Sequence, residues 1–150
     1  MLDDLTDDMF VEIARKQRKE MNICKFLMNQ KKISGVGNYI LAEGLYKANI
    51  CPWSTVDAVP EEQLRVLCGE LRETAEASYK AQGLTRAKGG SFRNVDGQTG
   101  GFEFKLCCYG RQWCSRGEKV YKIVDGPHGR AIHFVKAQVK KEEIKKLLEE

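Results

Sequence analysis

The chain has 150 residues, 42% apolar and 31% charged, with only 3 Pro, enough to bury roughly 70% of its unfolded surface without disulfides or a metal. No apolar run approaches the roughly 18 residues needed to cross a bilayer. The start, Met1-Leu2-Asp3-Asp4, is acidic where a secretion signal is basic and then apolar, so neither secretion nor membrane insertion is expected. The net charge of +4 is unevenly spread: residues 1–14 carry five acids and no base, residues 15–32 seven bases and one acid, and residues 105–141 nine bases and two acids. Two basic blocks suggest a polyanionic partner met at two places, while charge alone fits solvated helix and hairpin faces equally well. The six cysteines, Cys24, Cys51, Cys68, Cys107, Cys108 and Cys114, form no CxxC pair, which suits reduced thiols in an intracellular compartment, nuclear or cytoplasmic.

In chain order, Thr6 reads as an N-cap, with Asp7 and Asp8 in the first turn and Met9, Phe10, Ile13 and Ala14 at helical spacing, ending near Lys19 or Glu20. Asn22 can cap a short second helix through Ile23, Phe26 and Leu27. The period lapses over Asn29 to Gly37, where Gly35 and Gly37 mark a turn, and resumes from Asn38 through Ile40, Leu41, Leu45 and Ala48 until Pro52 stops it. A longer helix follows Pro60, with Leu64, Leu67, Cys68, Leu71, Ala75, Ser78 and Tyr79 on one stripe, closing at Gly83. Residues 1–83 thus read as a helical subdomain and 84–101 as a glycine-rich loop. Residues 102–139 read as a small β unit: Phe102, Phe104 and Leu106 alternate with charged residues, and Val120, Lys122 and Val124, then Ile132, Phe134 and Val135, flank a hairpin turn at Asp125 to Arg130. Residues 140–150 are an amphipathic helical tail, so the fold class is α+β.

The sharpest local signal is Gly35-Val36-Gly37-Asn38 opening a helix. Glycines let backbone amides approach an anion while the new helix points its unsatisfied N–H groups at it. Lys31 and Lys32 stand directly upstream, and Asn38 can cap or donate. The pattern is no dinucleotide fingerprint, because no strand precedes it and no third glycine follows. Alone, it also fits a purely structural turn.

With its neighbours, the segment resembles a known family. Gln30-Lys31, then Ser34-Gly35-Val36-Gly37-Asn38-Tyr39, then Ala42-Glu43, Leu45-Tyr46, Ala48, Ile50 and Pro52 are similar to the helix–two-turns–helix signature of the formamidopyrimidine-DNA glycosylase/endonuclease VIII family. Collinear matches follow at Gly89-Gly90-Ser91, at Asp96-Gly97 with Gly100-Gly101-Phe102, at Cys108-Tyr109-Gly110-Arg111, and at the finger hairpin Gly126-Pro127-His128-Gly129-Arg130-Ala131-Ile132-His133-Phe134. The resemblance implies that Asn38 and Lys31 grip phosphates flanking an extruded nucleotide and that Arg130 contacts the backbone beside the lesion. It extends the DNA-binding set to Lys32, Gly35, Gly37, Tyr39 and Arg111. It also implies that the loop after Leu84, with Arg86, Lys88, Ser91 and Arg93, corresponds to the one that covers a flipped base in some members. The expected partner is damaged or abasic duplex DNA, bound by a monomer with no membrane involvement.

Two departures qualify this. The family's finger usually holds zinc through two CxxC pairs, whereas here Cys114-Ser115-Arg116-Gly117 keeps one cysteine of the first pair and Phe134-Val135-Lys136-Ala137 none of the second. Zinc needs roughly four ligands, so the chain resembles the zincless-finger branch and no metal or other cofactor is expected. The family's N-terminal Pro-Glu pair and its catalytic lobe have no counterpart in a chain beginning Met1-Leu2-Asp3, so no catalytic residue is assigned. Glu43, on the helix after the turn, fits a surface or core-satisfied role better than an acid catalyst. The expected function is the DNA-binding half of a base-excision DNA glycosylase/apurinic lyase, working with a separate catalytic lobe. The alternatives are a free-standing, non-catalytic module for damaged or single-stranded DNA, and a protein-interaction unit using the 140–150 tail.

Overall fold

The computed structural model describes residues 4–31, 33, 35–87 and 106–140, with side chains described up to Lys80 in the last helix. The expected strand at Phe102 to Leu106 and the 140–150 helix fall almost wholly outside these residues, as do Lys32, Lys88, Ser91, Arg93 and the side chain of Arg86.

Four helices come first: α1 (Asp7–Arg15), α2 (Ile23–Leu27), α3 (Asn38–Ala48) and α4 (Glu61–Ala87). Their starts follow local chemistry. The Thr6 hydroxyl accepts the Met9 N–H at 3.1 Å, and Asn22 Oδ1 accepts those of Cys24 and Lys25 at 2.8 and 3.2 Å, each satisfying donors that a first turn leaves orphaned. Their ends depart from expectation. α1 stops at Arg15 rather than near Glu20, because Lys16 to Lys19 bring no apolar side chain to extend its packed face and the Gln17 amide donates to the Ile13 carbonyl at 2.9 Å. α3 ends at Ala48 because Asn49 takes the left-handed conformation (φ 57°), so the stop precedes Pro52. α4 runs through Gly83 to Ala87, taking in Arg86; one glycine costs only about 1 kcal/mol, which a long cooperative helix absorbs.

The core lies between these helices, with Phe10, Phe26, Leu27, Leu41, Leu45, Leu64, Leu67 and Leu71 fully buried. α3 and α4 meet so closely that a Cβ on Gly44 would come within 2.7 Å of Leu71 Cδ2. On the N-terminal side, Arg72 donates to the Leu5 carbonyl at 2.7 Å, tying the acidic segment to α4.

The second unit is a two-stranded antiparallel hairpin, β1 (Val120–Ile123) and β2 (Ile132–Val135), in register Val120 to Val135 and Ile123 to Ile132. β1 is only partly buried, but all four β2 residues are buried, His133 included. β2 is therefore covered on both faces. Ile132 and Phe134 enter the helical core, while Val135 joins a smaller cluster with Tyr46, Cys108, Cys114 and Val120. Phe134 packs edge-on against Trp53, ring centroids 5.2 Å apart. After β2, Gln138 accepts the Val135 N–H and donates to the Ile50 carbonyl, both at 3.0 Å, anchoring the hairpin's exit beside the end of α3.

Candidate nucleic-acid interface

The turn before α3 is fixed from within. Ile33 and Val36 are buried, and the Gln30 side chain brackets the loop, donating to the Val36 carbonyl and accepting the Gly35 N–H, both at 3.1 Å. Gly35 sits at φ +97°, a conformation that a side chain would strain. Gly37 is the N-cap of α3 and supplies no side-chain acceptor to its first N–H groups. Among the described residues, a Cβ there would meet the Tyr39 ring, at 3.8 Å. Lys31 is exposed beside this turn.

Asn38, the first residue of α3, is only 7% exposed. Its Nδ2 donates to the Ala131 carbonyl at 2.9 Å, and its Oδ1 lies 2.7 Å from His128 Nε2. Both partners belong to the hairpin turn, on either side of Arg130. That turn is tight: the Gly126 N–H donates to the Arg130 carbonyl at 2.9 Å, and a Cβ on Gly126 would stand 2.5 Å from the same oxygen. Arg130 itself is exposed. The helix start and the arginine hairpin, more than ninety positions apart in sequence, therefore share one surface.

The other expected contacts divide. The Tyr39 hydroxyl pairs with Ser78 Oγ of α4 at 2.5 Å and its ring lies 6.3 Å from that of Tyr109, which in turn meets the His133 ring at 4.6 Å. These aromatics fasten α3 to the hairpin. Arg111 is exposed and donates to the Leu106 carbonyl at 3.0 Å.

Glu43, one turn along α3, is the residue whose importance the sequence understated. It is 1% exposed, and its carboxylate accepts the backbone N–H groups of Cys107, Cys108 and Tyr109 at 2.5, 2.8 and 2.9 Å. The core-satisfied role is the one the structure gives it. An acid on the apolar stripe of a helix was the available signal, since a buried carboxylate demands donors. His128 was also passed over as a partner for Asn38; its place beside two turn glycines and an arginine offered only a faint cue.

Burial, with the Arg130 cation nearby, holds the His128 imidazole below its ordinary 6.5. Burial and Lys122 lower His133 likewise, against an opposing pull from Glu43. As pH falls through about 6.5 the unfolded chain therefore takes up protons before the fold does, so stability is full above that value and declines on acidification until the folded-state values are passed. The urea midpoint should be lower at about pH 5.5 than at about pH 7.5, with a smaller drop in His128→Gln. Equal drops in the variant and the parent would remove His128 from this account.

The sequence pattern of the formamidopyrimidine-DNA glycosylase H2TH domain matches residues 1–88, more than half of the chain. The chain belongs to the formamidopyrimidine-DNA glycosylase family. It is 35% identical over 94 residues to the formamidopyrimidine-DNA glycosylase of Lactobacillus helveticus, an alignment covering 63% of this chain and 33% of the relative. With that of Bacillus licheniformis it shares 31% identity over 141 residues, covering 91% of this chain and 49% of the relative. The chain thus spans between a third and a half of the curated relatives it matches. A crystal structure of Lactococcus lactis Fpg in complex with abasic-site DNA superposes with a TM-score of 0.69 at 27% identity, covering 90% of this chain and 47% of that one. The α+β arrangement of helices plus one antiparallel hairpin is the one this formamidopyrimidine-DNA glycosylase homologue shares.

Cys108 and Cys114 are buried in the small cluster beside Tyr46, and the Glu118 N–H donates to Cys114 Sγ at 3.3 Å. Burial pushes the Cys108 thiol up to about 12. For Cys114, burial is outweighed by hydrogen bonds from the Tyr46 hydroxyl and from the Arg116 and Glu118 backbone, which lower its pKa. Among the described residues, no three His, Cys, Asp or Glu side chains converge as a zinc site requires.

Proposed function

We propose that this chain is the DNA-gripping part of a base-excision-repair glycosylase, holding damaged or abasic duplex DNA between the turn at residues 30–38 and the hairpin turn at residues 124–131. The observation that carries this reading is the Asn38 side chain, hydrogen-bonded to both His128 and Ala131. It sets the uncapped start of α3 and the exposed Arg130 side by side, as one bent strand requires. Phosphates meet backbone N–H groups at the helix start and a guanidinium at the hairpin. Two grips on one strand hold the bend and leave a nucleotide between them free to unstack. The hairpin does this without a metal, its shape held by β2 in the helical core and by Glu43.

In this reading the chain's residues supply grip and not chemistry. Glu43 has its carboxylate committed to three backbone donors, and no amine nucleophile is assigned. Borohydride treatment of the protein on abasic-site DNA should trap no covalent adduct.

The direct test is fluorescence anisotropy with a duplex carrying an abasic-site analogue. Asn38→Ala and Arg130→Ala should each weaken binding by about 1–3 kcal/mol, the worth of a phosphate contact from a polar or charged donor. Unchanged affinity in both variants at low salt would sink the two-grip reading.

A further inference from the structure

Asn38 faces two partners whose chemistry is not interchangeable. The Ala131 carbonyl can only accept, so the side of the amide facing it, at 2.9 Å, must be Nδ2. Oδ1 then faces His128 at 2.7 Å, and His128 Nε2 must carry the proton and donate it. The remaining ring nitrogen, Nδ1, is buried with no hydrogen-bond partner among the described residues. This pattern fits a neutral ring with its single N–H directed at Asn38.

We propose that His128 is a positioning residue that fixes the plane and orientation of the Asn38 amide so that one N–H bond is aimed at a phosphate oxygen. Nδ2 has two hydrogens, and Ala131 takes one of them. The second is the one assigned to the phosphate, from a residue 7% exposed. A single hydrogen bond to Ala131 leaves the amide free to pivot about that contact, whereas two bonds on opposite sides of the group define its plane. His128 also lies two residues before Arg130 in a turn closed by the Gly126 to Arg130 hydrogen bond. The role rests on the DNA-gripping reading given above.

A thermodynamic cycle separates the two. Affinity for the abasic-analogue duplex is measured between about 50 and 200 mM salt for the parent, Asn38→Ala, His128→Leu and the double variant. His128→Leu should weaken binding by about three- to tenfold, the worth of one neutral hydrogen bond. The dependence of log affinity on log salt should stay that of the parent, since Asn38 carries no charge and releases no counterion. The double variant should bind no more weakly than Asn38→Ala alone. Additive losses, or a silent His128→Leu beside a damaging Asn38→Ala, would overturn the positioning role while leaving the grip intact. A silent Asn38→Ala would overturn both. Should His128→Leu fail to fold, a second pair decides: His128→Gln places an amide N–H near the position of Nε2 and should keep affinity, whereas the shorter His128→Asn should lose it. Equal affinities for these two would likewise refute the proposal.

Discussion

Glu43→Ala should destabilise the protein by about 3–6 kcal/mol, since three backbone N–H groups lose their acceptor at about 1–3 kcal/mol each and water entering the vacated space recovers only part. Those groups belong to Cys107, Cys108 and Tyr109, and the carboxylate that receives them is 1% exposed on α3. Glu43→Gln should fall between: it keeps one oxygen but turns an NH2 group toward donors that cannot accept from it. Urea unfolding followed by circular dichroism would read both. A loss below about 1 kcal/mol for the alanine variant would mean that the segment is held by other contacts.

Phe134→Ala should cost about 3–5 kcal/mol, the range for deleting a large buried aromatic side chain. Phe134 is 1% exposed, meets Trp53 edge-on at 5.2 Å and lies 6.0 Å from the Tyr121 ring. It is the hairpin's main insertion into the helical core, so its loss should loosen the whole fold. Trp53 fluorescence, which reports this contact, and far-ultraviolet circular dichroism, which reports the helices, should shift to lower denaturant together. Separate transitions, with the helical signal unmoved, would show that the hairpin adds nothing to the helices' stability.

What the amino-acid sequence revealed was mostly what neighbours along the chain decide. Thr6 and Asn22 were readable as caps because a capping side chain bonds donors two or three residues away. The hairpin at Gly126 to Arg130 was readable from its turn residues and flanking strands. Helix ends were less legible, since Arg15 and Asn49 end α1 and α3 where packing runs out or the backbone changes hand, and neither event has a strong local sign. The burial of β2 on both faces was hidden because covering elements come from far away: Trp53 on one side, Tyr46 and Cys114 on the other. For the candidate site, the turn, Asn38 and Arg130 were identifiable from the resemblance to formamidopyrimidine-DNA glycosylases. Their junction through His128 and Ala131 was not, because no spacing rule connects residues 90 and 93 positions apart.

The bonds that Asn38, Glu43 and Ile50 make with the later part of the chain span 93, 64 and 88 positions. Helix α3 can form early from its own neighbours, but the partners of its buried polar groups arrive only after a long loop has closed, which is slow relative to local helix formation. During synthesis, α3 would be complete while Asn38 and Glu43 still wait for donors and acceptors not yet made. Premature burial is thereby discouraged, and final docking of the helices is linked to the arrival of the strand that follows the exposed Arg130. The price of a polar seam between the two units is a slower last step, and its return is that a chain lacking the hairpin should not settle into a native-like helical half.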